Sequence, residues 1–401
     1  MNIKEPYLFV EINDKSFIFL VIKYNEKFDF EILYSTKVES EGIKNGKISN
    51  INDSSRVLKD SINLIEKKIR FIFKSATIIN TQSNFRCINI SGYKKLSGAQ
   101  VLNEDISYIL NNIKEIIAHN NKKYSLIHLF NSSFVLDKNI LDNIPFGLYG
   151  DFYNQNNTFF LLPKTDLQNI KLAFNNCHIN IERVILKPFA DGVYQLKKNH
   201  TETNIIFFIN INKDTVEVSI FNNKSFLSSE FFSFGSNIIM KDVTKLCSLS
   251  LDIVQNIFSN INFDLIDSRH DKNYLDKKYF KETSYRKISI AHLSNIISSR
   301  IEEIINITYN NNSSYKFFHK KNKSIYLSFE DFNINKNFKG KFKSYLINDD
   351  EVIFIDSAED SYMNASIGSA EIIGKGWEKE AIPIIQTKKS LISRLFSILF
   401  N

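Results

Sequence analysis

The stretch Ile205-Ile206-Phe207-Phe208-Ile209-Asn210-Ile211-Asn212-Lys213-Asp214-Thr215-Val216-Glu217-Val218-Ser219-Ile220-Phe221 decides how the rest of the chain is read. It opens with an apolar run of the length and composition of a buried strand. Asn210 to Asp214 is a polar corner. Beyond it Val216, Val218 and Ile220 alternate with Glu217 and Ser219, the period-2 pattern of a second strand. Asn222-Asn223-Lys224 supplies turn chemistry, and Ser225-Phe226-Leu227 begins a third strand. Phe234 to Thr244, with Gly235 in its opening loop, then leads into a helix.

In order and spacing this stretch resembles the second-domain core of actin-like proteins, and most closely the FtsA family of bacterial division proteins. The resemblance implies an α/β, actin-like (ribonuclease H-like) two-domain fold with an FtsA-type 1C subdomain in place of actin 1B. The family's phosphate hairpin, roughly Asp-Ile-Gly-Gly-Gly-Thr-Thr-Asp, lies without gaps on Asn210 to Glu217. Asn210 stands at its acidic position, and Asn212, Lys213 and Asp214 stand at its three glycines. Glycine serves there by letting backbone N–H groups come close to phosphates with φ free to turn positive. The family's first phosphate loop falls on Glu11, Ile12, Asn13 and Asp14, again without glycine. Its adenosine-contacting glycine pair falls on Phe329 and Glu330, just after the strand Ser324–Ser328. Three loops without glycine lead us to expect a degenerate ATP-binding fold that is not an enzyme. ATP and Mg are implied by the resemblance alone, and no cofactor is expected.

Toward the N-terminus, Tyr7 to Tyr24 reads as two strands around Asn13-Asp14-Lys15. Asp53 or Ser54 can cap a helix through about Arg70, with Val57, Leu58, Ile62, Ile65 and Ile69 on its apolar face. Cys87 to Gly92 is a strand ending in a turn, and Glu104 to Ala118 an amphipathic helix. Leu126–Phe130 and Ser133–Asp137 read as two further strands, closed by Pro145-Phe146-Gly147-Leu148-Tyr149-Gly150. This order, with Ser91-Gly92 near its start and the Pro-x-Gly-Leu-x-Gly end, is similar to the FtsA 1C subdomain. Phe159–Leu162 reads as a strand, Thr165–Asn176 as a helix, and Val184–Ala190 as a strand leading into a helix. By the resemblance, 1–84 is subdomain 1A, 85–160 is 1C and 161–200 returns to 1A and the hinge. Residues 201–245 are then 2A, 246–315 are 2B, and 316–373 return to 2A and 1A. A linker, 374–387, and a terminal helix, 388–401, complete the chain.

The 401 residues suffice for two domains, and 43% hydrophobic with 24% charged is ordinary for a soluble globular protein. The formal charge of +7 comes from lysines scattered among acidic residues, so no nucleic-acid site is expected. A solvated basic surface, or attraction to anionic lipid, fits better. Cys87, Cys177 and Cys247 lie far apart and read as reduced thiols. No run reaches the ~18 apolar residues of a spanning helix, and no signal-peptide pattern opens the chain. The seven histidines lack metal-ligand spacing, so no metal is expected, and His128 and His178 read as structural.

Ile288 to Ile305 is a strong helix whose Ile296–Glu303 portion matches the family's Ile-Ile-x-x-Arg-x-x-Glu helix of 2B. The resemblance places Arg300 and Glu303 at the docking site of the C-terminal peptide of FtsZ. Their i,i+3 spacing equally suits a solvated pair worth a few tenths of a kcal/mol. At the end of the chain, Leu391, Ile392, Leu395, Phe396, Ile398, Leu399 and Phe400 cover one helical arc. Arg394, Ser393 and Ser397 form the opposite strip. A terminal, basic-flanked amphipathic segment reads as an interfacial membrane helix, which FtsA also carries there.

These readings together lead us to expect a division adaptor that tethers FtsZ polymers to the cytoplasmic membrane. It would sit at the division site on the inner face of the bacterial inner membrane. Its partners would be the FtsZ C-terminal peptide, further copies of itself in an actin-like filament and anionic lipid. An actin-like ATPase with altered loops and a PilM-like scaffold of a pilus or secretion machine are the alternatives.

Overall fold

Strand β1 (Tyr7–Ile12) is buried along nearly its whole length, and β2 (Ser16–Tyr24) exposes only Lys23, because elements cover both faces of their sheet. The computed structural model describes residues 5–141, 143–199, 203–266, 273–280, 284–312, 322–346, 351–355 and 362–381. The chain divides into two units. Met1–Glu202, Phe221–Ser228 and Asp360–Asn401 form one, and Thr203–Ile220 with Ser229–Glu359 form the other.

The first unit continues through β3 (Phe30–Glu39), β4 (Ile43–Lys44), β5 (Lys47–Ile48), α1 (Ile51–Ile69) and β6 (Ser75–Asn80). An inserted subdomain follows: β7 (Arg86–Lys95), α2 (Asn103–Asn120), β8 (Tyr124–Leu136), β9 (Asn139–Leu141) and β10 (Phe152–Pro163). Then come α3 (Lys164–Asn175), β11 (Asn180–Leu186) and α4 (Lys187–Lys198). The main sheet has the order β11-β6-β1-β2-β3, with β1 antiparallel to β2 and parallel to β6. Helix α1 lays Val57, Leu58, Ile62 and Ile65 on this sheet, as its periodicity predicts. Its cap is Asn50 rather than Asp53 or Ser54. The Asn50 side chain accepts from the N–H groups of Asn52 at 3.0 Å and Asp53 at 3.3 Å, which leaves Asp53 inside the first turn.

The second unit holds β12 (Ile205–Ile211), most of β13 (Val216–Asn222), the second half of β14 (Ser225–Phe232), α5 (Asn237–Cys247), α6 (Leu251–Asn260) and α7 (Ile290–Ile305). It ends with β15 (Lys323–Phe329), α8 (Phe332–Tyr345) and β16 (Glu351–Ile355), after which α9 (Asn364–Lys375) rejoins the first unit. Its sheet has the order β14-β13-β12-β15-β16, with β12, β15 and β16 parallel. Numbered within each unit's main sheet, both read third, second, first, fourth, fifth. One ribonuclease H-like strand order is thus used twice.

The inserted subdomain is a sheet of order β7-β10-β8-β9 with Ile106, Ile109, Leu110 and Ile113 of α2 packed on one face. Two expectations change here. The strands expected at 126–130 and 133–137 are one strand, β8, because its polar middle is satisfied within the sheet. Gln155 and Asn157 both donate to Asn131 Oδ1 at 2.9 Å, and the Ser132 hydroxyl meets that of Thr158 at 2.7 Å. The strand expected to turn at Gly92 runs on to Lys95, held by pairing with Phe152 to Leu161. The last strand of this sheet, β10, runs to Pro163.

The expected linker 374–387 is also corrected in its first part. Gly374 and Lys375 end α9, and Lys379, Glu380 and Ala381 are buried against the inserted subdomain. The terminal segment 388–401, with Leu391, Ile392, Arg394, Leu395, Phe396, Ile398, Leu399 and Phe400, lies outside the described residues.

Candidate functional site

The polar corner of the second unit is drawn shut by the chain's own groups. Asn212 N–H donates to Thr215 O at 2.9 Å, closing the turn between β12 and β13. The loop into α5 then uses the turn's carbonyls. Ser236 N–H donates to Asn212 O and Asn237 N–H to Lys213 O, both at 2.9 Å. The approach is so close that a Cβ on Gly235 would lie 2.3 Å from Asn212 O, so only glycine fits there. The Asn237 amide donates to Asp214 Oδ1 at 2.9 Å.

Parallel pairing brings the end of β15 alongside this turn, with Asn210 opposite Ser328 and Ile211 opposite Phe329. The Ser328 hydroxyl donates to Asn210 Oδ1, and Glu330 N–H donates to Ile211 O at 3.0 Å. The Glu330 carboxylate accepts the N–H of Lys213 at 2.9 Å. Asn210, Asn212, Lys213, Asp214, Phe329 and Glu330 therefore meet in one place. Phe329 is part of the core, buried and edge-on to Phe342 at 5.0 Å. A cavity of about 570 Å³ borders the corner, lined by Lys213, Asn237, Met240, Lys241, Leu251, Gln255, Phe258, Ser259, Asp331 and Asn333.

In the first unit, Glu11 is buried near the C-terminal end of β1, where open α/β sheets place their sites. Its Oε1 accepts from Lys187 Nζ at 2.7 Å and from the Asn13 amide at 3.0 Å. Lys187, at the start of α4, also lies 3.5 Å from Asp191 one turn on. Burial pushes the Asp191 carboxyl above the usual carboxylate range, with Lys187 opposing and Glu11 reinforcing. Asp14 turns away and accepts the Gly46 N–H at 2.6 Å. Among the described residues, Glu11 Oε2, Asn80 Nδ2 and both amide atoms of Gln82 are buried without a hydrogen-bond partner. The sequence reading missed Lys187 and Asp191, because only the sheet brings residues 176 positions apart together.

These residues suit a nucleotide poorly. A phosphate entering the β12–β13 corner meets the Asp214 and Glu330 carboxylates, with the Lys213 N–H already engaged. A cation at Glu11 competes with an ammonium that is covalently part of the chain. No cluster of His, Cys, Asp or Glu that could hold a metal ion occurs among the described residues.

Arg300 does more than pair with its helix neighbour. Its guanidinium joins Glu303 at 2.5 Å and also Asp242 on α5, tying α7 to α5. Asp242 lies 58 positions away and had no signal in the sequence. Glu303 remains about half exposed. No helix among the described residues is long and apolar enough to cross a membrane.

No family model matches the chain. It is 20% identical over 308 residues to the cell division protein FtsA of Neisseria meningitidis serogroup B, covering 77% of this chain and 74% of that one. The Bacillus subtilis cell division protein FtsA is 20% identical over 314 residues, with 77% and 69% covered. Among solved structures, a chain of the PilM–PilN type IV pilus biogenesis complex superposes with a TM-score of 0.50 at 9% identity, covering 92% of this chain and 97% of that one. With the ribonuclease H-like strand order present twice, the chain has the actin-like fold, and its sequence is similar to that of cell division protein FtsA.

Proposed function

We propose that this chain is an FtsA-like division adaptor that holds FtsZ polymers to the cytoplasmic membrane and works without hydrolysing ATP. The sequence similarity to FtsA proteins over about three quarters of the chain carries the reading. The amphipathic arc of 391–400 supports membrane attachment. One such tail is a marginal anchor, and an actin-like polymer of copies would multiply it by avidity. Location at the division site on the inner face of the membrane follows from that role.

Loss of nucleotide chemistry is the part with a geometric basis, in the Lys213–Glu330 and Glu11–Lys187 contacts. Calorimetric titration with Mg-ATP is expected to give no heat of micromolar binding and no turnover. Micromolar affinity with phosphate release sinks this part of the reading.

The FtsZ contact is assigned to the exposed end of α7. Arg300 holds α5, so Glu303 is the cleaner probe. Glu303→Lys is expected to weaken binding of the FtsZ C-terminal peptide several-fold while the thermal transition stays in place, as for charges at the rim of an interface. Unchanged affinity would return Glu303 to the role of a solvated helix partner.

A further inference from the structure

Strand β8 leaves half of one edge open, and the chain fills that half with its own residues. β9 pairs with β8 only at Phe134, Val135 and Leu136. Further along the same edge, Asn131 N–H donates to Lys379 O at 2.9 Å, and Ala381 N–H donates to Leu129 O at 2.8 Å. Phe130 and Glu380 stand opposite each other in an antiparallel bridge. Three residues thus add a single antiparallel bridge to an edge that would otherwise carry unpaired backbone groups.

The side chains at this edge are as specific as the backbone. The Glu380 carboxylate is buried, with its side chain 1% exposed. His128 Nδ1–H donates to its Oε1 at 2.6 Å, and the Arg183 guanidinium reaches the same oxygen. His128 Nε2 accepts the N–H of Leu186 at 3.0 Å, which assigns the neutral tautomer. Burial pushes the His128 pKa down, against the pull of Glu380. Burial opposes the charge on Glu380 too, but Arg183 and then His128 outweigh it and hold the carboxyl below its ordinary range. The Trp377 indole N–H donates to Lys224 O, its ring lies edge-on to Phe189 at 6.2 Å, and Glu378 pairs with Lys224 at 2.9 Å.

We propose that Trp377–Ala381 is a charge-locked strap that moors the last part of the chain to the inserted subdomain, with Glu380 as its bolt and His128 and Arg183 as positioning residues. Closed, the strap makes residues beyond 381 start at the edge of β8. Open, they start at the end of α9, and the freed residues 376–381 add roughly 20 Å of reach. The strap deepens the adaptor reading, because it sets where a membrane-seeking tail leaves the body. Its docking is independent of that reading and is tested in solution without lipid.

Trp377 is the chain's one tryptophan and reports on the strap directly. In the full chain, Glu380→Lys is expected to shift its emission to longer wavelength, raise quenching by acrylamide, and speed amide exchange at Asn131 by tenfold or more. Should Glu380→Lys fail to fold, Ala381→Pro removes the N–H that bonds Leu129 O and keeps all three side chains of the ion cluster. It is expected to raise exchange at Asn131 and quenching of Trp377 with far-UV circular dichroism unchanged. Folded variants whose emission, quenching and Asn131 exchange all match the parent overturn the strap. Failure of the parent protein to bind vesicles would count against the adaptor reading alone.

Discussion

The double variant Phe396→Asp/Leu399→Asp is expected to lose liposome co-sedimentation almost completely while its thermal transition stays where the parent's is. The two side chains lie near the middle of the apolar arc formed by Leu391, Ile392, Leu395, Phe396, Ile398, Leu399 and Phe400. An apolar side chain is worth about 1.5–3 kcal/mol if fully buried, insertion at an interface is partial, and ordering a tail costs entropy. A single tail therefore binds with little to spare. Two carboxylates that must stay solvated hold the arc out of the acyl region. The measurement is pelleting with anionic vesicles alongside a melting curve. A variant that still pellets but melts much earlier shows the segment to be part of the core, and the anchor reading falls.

Gly368→Val is expected to cause the largest loss of stability of any change considered in the folded body. Gly368 sits in α9 where that helix crosses α4, and a Cβ there would lie 2.0 Å from Ala190 O and 3.2 Å from Tyr194 N. Ala365, Ser366, Ser369 and Ala370 around it are fully buried, so α9 has no free direction in which to retreat. Overpacking a tight core costs about 1–3 kcal/mol, and a clash with backbone leaves less room to relax than one with a flexible side chain. Gly368→Ala makes the sign of the effect the test. Helix propensity alone favours alanine by about 1 kcal/mol, yet the contact predicts a lower melting temperature. A rise on Gly368→Ala would mean that the two helices do not approach as closely as described.

Glu330 illustrates why the chemistry of the corner was only half legible. The absence of glycine at Asn212, Lys213 and Asp214 is visible by inspection. That a carboxylate from 117 positions later accepts the Lys213 N–H is not, because it depends on β12 and β15 lying side by side in a given register. Phe329 shows the same limit from the other side. Its position beside the corner was foreseen, but its packing against Phe342 as part of the core was not.

The sequence by itself determined whatever depends on near neighbours. The hairpin at 210–216 and the apolar faces of α1 and α2 follow from spacing, since strand and helix periods act over a few residues. The alternation read in β13 does not show as one exposed face, because Glu217 and Ser219 are buried too. Only the tertiary structure decided which distant charges meet. Lys187 finds Glu11 across 176 positions, Arg300 finds Asp242 across 58, and His128 finds Glu380 across 252. It also docked Lys379–Ala381, part of the expected linker at 374–387, on the open edge of β8 through a single β-bridge, because that edge and the Arg183 guanidinium lay within reach. A buried charge is stable only beside its partner, and no local spacing reveals that partner before the sheets are assembled.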